Sequence, residues 1–141
     1  MSLSSIWWVV IWLWLVFGFE EYGRWILAAE ETVESGWKDL REKEYNWSCF
    51  KSEQASQFAL KALLSLVGKP VLGHDLPTLY KRSVAETGQS LDSKLYDCTL
   101  LLARSYISLR YPDAVPSGTP KQYFSYADAE NAYECAERIV E

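Results

Sequence analysis

Between residues 44 and 67, Cys49, Ser52, Ser56, Ala59, Leu60, Leu63 and Val67 return every three or four positions and so share one side of a helix. No strand-like alternation follows Glu20 anywhere in the chain, so the segments have to bury one another as helices. Four more candidates flank this one. Residues 20–35 open on Glu20 and Glu21, which suit the positive end of a helix dipole, and reach a stop signal at Ser35-Gly36. Residues 75–86 start at Asp75, a good N-cap, with Pro77 tolerated in the first turn. Residues 91–109 place Leu91, Leu95, Cys98, Leu102 and Leu109 on one side. Residues 126–140 follow Ser125 and align Ala129, Tyr133, Ala136 and Val140. Prolines at 112, 116 and 120 stiffen the linker before the last segment and end the fourth helix near Tyr111. A chain of 141 residues fits one domain. The expected fold is all-α, an up-and-down bundle of about five helices.

Every charged side chain lies after residue 19. Residues 6–17 contain no polar position and hold Trp7, Trp8, Trp12 and Trp14, four of the seven tryptophans. Twelve helical residues reach about 18 Å, short of the roughly 30 Å of a bilayer core. Ser4, Ser5 and Gly18 dilute any longer count, and neither a basic start nor a small-residue cleavage site marks a signal peptide. Residues 1–18 are therefore set apart from the bundle of residues 19–141, as a mis-called start, an extension buried in an oligomer, or a membrane anchor.

The net charge of −5 argues against a generally basic nucleic-acid binder. With one histidine and three scattered cysteines, Cys49, Cys98 and Cys135, neither a zinc site nor a disulfide framework is expected. Cys49 and Cys98 read as inert buried thiols of a reduced, intracellular protein. Gly68-Lys69 is not a phosphate-binding loop, because Leu63 stands where a glycine is needed and Pro70 where Ser or Thr is needed.

Two groups of residues remain as site candidates. Trp47, Lys51, Gln54, Phe58 and Lys61 align on the side of the second helix opposite its core stripe. Two large aromatics among evenly spaced polar residues suit a second contact surface, with Trp47 and Phe58 as dimer contacts. Arg104, Tyr106, Arg110 and Tyr111 gather near the end of the fourth helix, with Asp113 just beyond and His74 at the entrance to the third. Tyrosine and arginine together suit base stacking and phosphate contact, and equally a structural network with Asp113.

The run Trp47-Ser48-Cys49-Phe50-Lys51-Ser52-Glu53-Gln54-Ala55, continued by Ala59-Leu60-Lys61-Ala62, resembles the second-helix signature of HEPN domains. Gly73-His74-Asp75-Leu76 resembles the turn that follows it. Arg110-Tyr111-Pro112-Asp113-Ala114 and Gly118-Thr119-Pro120 resemble the loop of one prokaryotic subgroup, and Tyr123 with the Ala-rich last helix fits as well. The resemblance spans roughly residues 19–141 and implies a small, usually dimeric helical bundle. Many such proteins are ribonuclease toxins with an Arg followed four to six residues later by His. No histidine follows Arg104 or Arg110 in this chain. Other members bind nucleotides or pair with a minimal nucleotidyltransferase.

The resemblance therefore implies a non-catalytic homodimeric module for a nucleotide such as ATP, or for a nucleotidyltransferase partner, in a toxin–antitoxin or stress system. Its candidate binding residues are Lys51, Gln54, Lys61, His74, Arg104, Tyr106, Arg110, Tyr111 and Asp113, and no cofactor or metal is expected. A metal-independent ribonuclease using Arg104 or Arg110 with His74 is the second reading. A membrane-tethered interaction protein, resting on residues 6–17, is the third. The expected location is the cytoplasm, with or without membrane association.

Overall fold

The computed structural model describes residues 3–108 and 111–141. Six α-helices follow one another: α1 Leu3–Arg41, α2 Tyr45–Leu66, α3 Leu76–Thr87, α4 Ser93–Ala103, α5 Ser105–Ser108 and α6 Tyr126–Val140. Two 3-10 turns, Pro112–Ala114 and Pro120–Tyr123, lie in the proline-rich connection. The described residues contain no strand, and the fold is the expected all-α up-and-down bundle.

Helix α2 is the central element. It packs against α1 and α6 along most of its length and against α3 near its end. That position explains a composition that would be odd elsewhere. Ser48, Ser52, Ser56, Ala55, Ala59 and Ala62 are all buried, because small side chains let neighbouring helices approach α2 from several directions. Leu60 and Leu64 join Leu76 and Leu79 of α3, Leu102 of α4, and Ala129 and Ala132 of α6 in one core.

The helix ends follow local signals closely. The Asp75 carboxylate accepts from the Thr78 amide at the start of α3, and the Ser125 hydroxyl accepts from the Asp128 amide at the start of α6. The Asp128 carboxylate accepts in return from the Ser125 amide at 2.9 Å, a reciprocal cap. Helix α2 stops where Gly68 turns left-handed, with φ +73°. A Cβ at Gly68 would also run into the ring of Trp14.

Three expectations need correction. Helix α1 does not stop at Ser35-Gly36 and does not begin at Glu20. It is a single 39-residue helix that takes in the apolar segment and ends at Arg41. Gly36 marks a helix crossing instead: it is buried, Ser48 Oγ donates to its carbonyl at 2.7 Å, and a Cβ there would sit 3.3 Å from Lys51 Cβ. The fourth helix is interrupted at Arg104, giving α4 and the short α5. Finally, Cys98 is not a lone thiol. It forms a disulfide with Cys135 across the α4–α6 contact, where the two Cα atoms are 5.3 Å apart despite 37 residues of separation in sequence. Cys49 remains free and buried.

Candidate functional site

Glu53 and Gln57 are one helical turn apart on α2, and both are enclosed, with exposures of 0% and 1%. The two Glu53 carboxylate oxygens accept from different amides: Gln57 Nε2 donates to one, and Gln54 Nε2 donates to the other at 2.8 Å. With Glu53 ionised, its oxygens only accept, and Gln57 turns its NH₂ toward Glu53 and its carbonyl oxygen away. That oxygen, Oε1, lies 3.1 Å from Nδ1 of His74. His74 therefore donates through Nδ1–H, and in the neutral ring the lone pair is on Nε2. The imidazole also stacks on Tyr106 of α5, with ring centroids 5.8 Å apart and planes 15° apart.

The result is a relay that runs from a buried carboxylate through an amide to an imidazole at the surface. His74 reaches it because the loop after α2 doubles back along that helix, while the break at Arg104 places Tyr106 on α5. Chemically, the arrangement presents an oriented hydrogen-bond acceptor beside an aromatic stack. Among the described residues no His, Cys, Asp or Glu group of three or more is placed to hold a metal ion.

The structure brings together Gln54, His74 and Tyr106 from the expected set and disperses the others. Lys51 pairs with Asp39 of α1 at 2.7 Å and donates to Ser35 Oγ at 2.9 Å. Phe58 packs on Trp25 of α1, with centroids 5.7 Å apart, and Lys61 lies over the same indole at 5.9 Å. Burial lowers the Lys61 pKa, an effect that Glu53 partly opposes. Part of the stripe expected to meet a second copy thus packs on α1 of the same chain, with Phe58 left half-exposed, and Trp47 packs edge-on against Phe50 and stays exposed.

Arg104 lines a separate open recess of about 310 Å³, with Cys49, Phe124, Asp128 and Asn131. Burial there, reinforced by Asp128, pushes the Cys49 thiol up to about 12, so it is a neutral thiol rather than a nucleophile. Tyr111 and Asp113 are exposed on the loop. Arg110 lies outside the described residues, and so does its expected pairing with Asp113.

Sequence reasoning missed Glu53 and Gln57. A signal was available: a carboxylate and an amide four residues apart, set among Ser52, Ala55, Ser56 and Ala59, which are too small to screen a solvent face.

Comparison with known proteins agrees with this architecture. The chain is similar to the crystal structure of TT1696 from Thermus thermophilus, with a TM-score of 0.77 and 28% identity over 84% of this chain and 92% of that one. It is also similar to ST0689, an archaeal HEPN homologue, at a TM-score of 0.70 and 28% identity over 84% and 91% of the two chains. An HEPN domain protein of Thermotoga maritima, tm0613, gives a TM-score of 0.64 and 30% identity over 83% and 91%. No curated protein matches. The HEPN domain model matches residues 22–141, nearly the whole bundle, and the chain belongs to the HEPN domain family.

Proposed function

We propose that this HEPN domain is a non-catalytic module that binds a nucleotide, free or presented by a nucleotidyltransferase partner, within a toxin–antitoxin or stress system. The observation that carries this reading is the His74–Tyr106 stack, oriented from behind by Gln57 and Glu53. A purine or pyrimidine ring extends such a stack, and His74 Nε2 accepts from an exocyclic amine or a ribose hydroxyl. The resemblance of the Arg110-Tyr111-Pro112-Asp113 loop to that of the subgroup that pairs with nucleotidyltransferases supports the partner in this reading. Arg110 supplies the guanidinium for phosphate. The module acts as a homodimer, in which Trp47 takes part.

Calorimetry with ATP on the full chain tests the proposal. Binding should weaken by about 1–3 kcal/mol on His74→Ala or Arg110→Ala, the scale of a charged hydrogen bond, with little change in melting temperature for Arg110→Ala. Absence of binding both to ATP and to the protein encoded beside it ends the proposal. Light scattering that finds only monomers at micromolar concentration removes the dimer.

One observation favours a second reading, a metal-independent ribonuclease. The lone pair on His74 Nε2, oriented through Gln57 by a buried carboxylate, is arranged as a general base would be. Cleavage of single-stranded RNA by purified protein, abolished by His74→Ala, would establish this reading over the first.

A further inference from the structure

We propose that residues 3–13 of α1 enter a lipid bilayer, and that residues 14–19, with the end of α2 and the loop after it, residues 66–72, rest at the level of the headgroups. Helix α1 is the one helix among the described residues that is long and apolar enough to cross a membrane. Up to Leu13, its apolar part is exposed on every side. Trp7, Trp8, Val9 and Val10 are consecutive, so they point in four directions at steps of 100°, and all are exposed, Trp8 by 73%. The same holds through Trp12 and Leu13.

All-round exposure decides the occupant. A second copy laid along the helix would cover a stripe about 100° wide and leave the remaining sides in water. A bilayer covers all sides at once, and a helix enters it with its own backbone hydrogen bonds satisfied. The eleven residues 3–13 that extend past the bundle end reach about 16 Å, about the depth of one leaflet, so the helix inserts from one side of the bilayer. The first charges, Glu20 and Glu21, fall just past Phe19, and Glu21 is already paired with Arg24 at 2.8 Å.

An independent observation comes from the bundle. Its end beside the emerging helix is itself apolar: Leu72 is 94% exposed, and Leu66 and Pro70 are exposed near it. This end lies level with residues 14–18, because the Trp14 ring meets Gly68 and Gly18 packs on the Ser65 and Leu66 carbonyls. A cleft of about 420 Å³ lined by Trp14, Phe17, Leu66, Val71 and Leu72, with Glu21 and Lys61 also on its wall, joins the two surfaces into one. Lys69, in the same loop, supplies a cation at the level of the lipid phosphates.

The test uses the full chain with vesicles of phosphatidylethanolamine and phosphatidylglycerol. The protein should float with the vesicles, stay with them through alkaline carbonate, and lose tryptophan fluorescence when brominated lipid is included. A Val9→Lys/Leu13→Lys variant should partition more than about 100-fold more weakly while its circular-dichroism melt stays unchanged. Amides of residues 66–72 should gain hydrogen-exchange protection on vesicles. Protein that stays in the aqueous fraction, or vesicle binding indifferent to the two lysines, overturns the proposal. So does a lipid-independent dimer with unquenched tryptophans, or a cellular form whose intact mass lacks the first 19 residues. Unprotected 66–72 amides overturn the docking of the bundle end.

Discussion

Replacing Gln57 by Leu keeps nearly the same volume in a position that is 1% exposed, while removing both of its hydrogen bonds. The Glu53 carboxylate, itself fully enclosed, loses an amide donor, and Nδ1 of His74 loses its acceptor. The second loss is mild, because His74 is exposed and water replaces Gln57. The first is severe, because a buried carboxyl group that gives up a donor is not reached by water. A hydrogen bond to a charged group contributes about 1.5–3 kcal/mol, and that is the expected loss of stability. For a domain of this size it lowers the melting temperature by about 5–10 °C. The chain has one histidine, so long-range ¹H–¹⁵N spectra contain a single imidazole and report its tautomer without assignment. Wild type should show the Nδ1–H form dictated by Gln57 Oε1, and Gln57→Leu should shift the ring toward the Nε2–H form favoured in free histidine. Gln57→Leu melting with wild type, or a wild-type imidazole protonated only at Nε2, would falsify the relay.

Three further outcomes follow from the packing. Reduction of Cys98–Cys135, which closes a separation of 37 residues, should remove about 2–4 kcal/mol; a denaturation midpoint unmoved by reductant would mean that α4 and α6 hold together without it. Cys49 should resist alkylation in the folded protein, and, because the folded thiol binds its proton more tightly than the unfolded one, stability should fall as pH rises from about 9 toward about 12. Cys49→Ala should flatten that alkaline slope, and an unchanged slope would assign it to other groups. Gly68→Ala forces a side chain into a left-handed backbone and against Trp14, so it should destabilise by about 1–2 kcal/mol in denaturant titration; a neutral result would show that the turn relaxes freely.

Helix existence and many helix ends were legible in the residues themselves. Asp75, Ser125 and Gly68 act on amides and carbonyls within four residues of their own position, so their meaning does not depend on what lies across the bundle. The recurrence of Cys49, Ser52, Ser56, Ala59 and Leu60 likewise announced a core-facing helix. Partnership was another matter. Ser35-Gly36 carries the composition of a helix stop, yet only the arrival of Ser48 and Lys51 from α2 makes Gly36 a crossing point. Lys51, Phe58 and Lys61 are regularly spaced whichever surface covers them, and only packing brings Asp39 and Trp25 of α1 onto them. Cys98 finds Cys135, and Glu53 reaches His74 through Gln57, by meetings across 37 and 21 positions that no local spacing records. Local backbone chemistry is written residue by residue, whereas a site assembled from α2, a loop and α5 exists only once hydrophobic burial has chosen which faces come together.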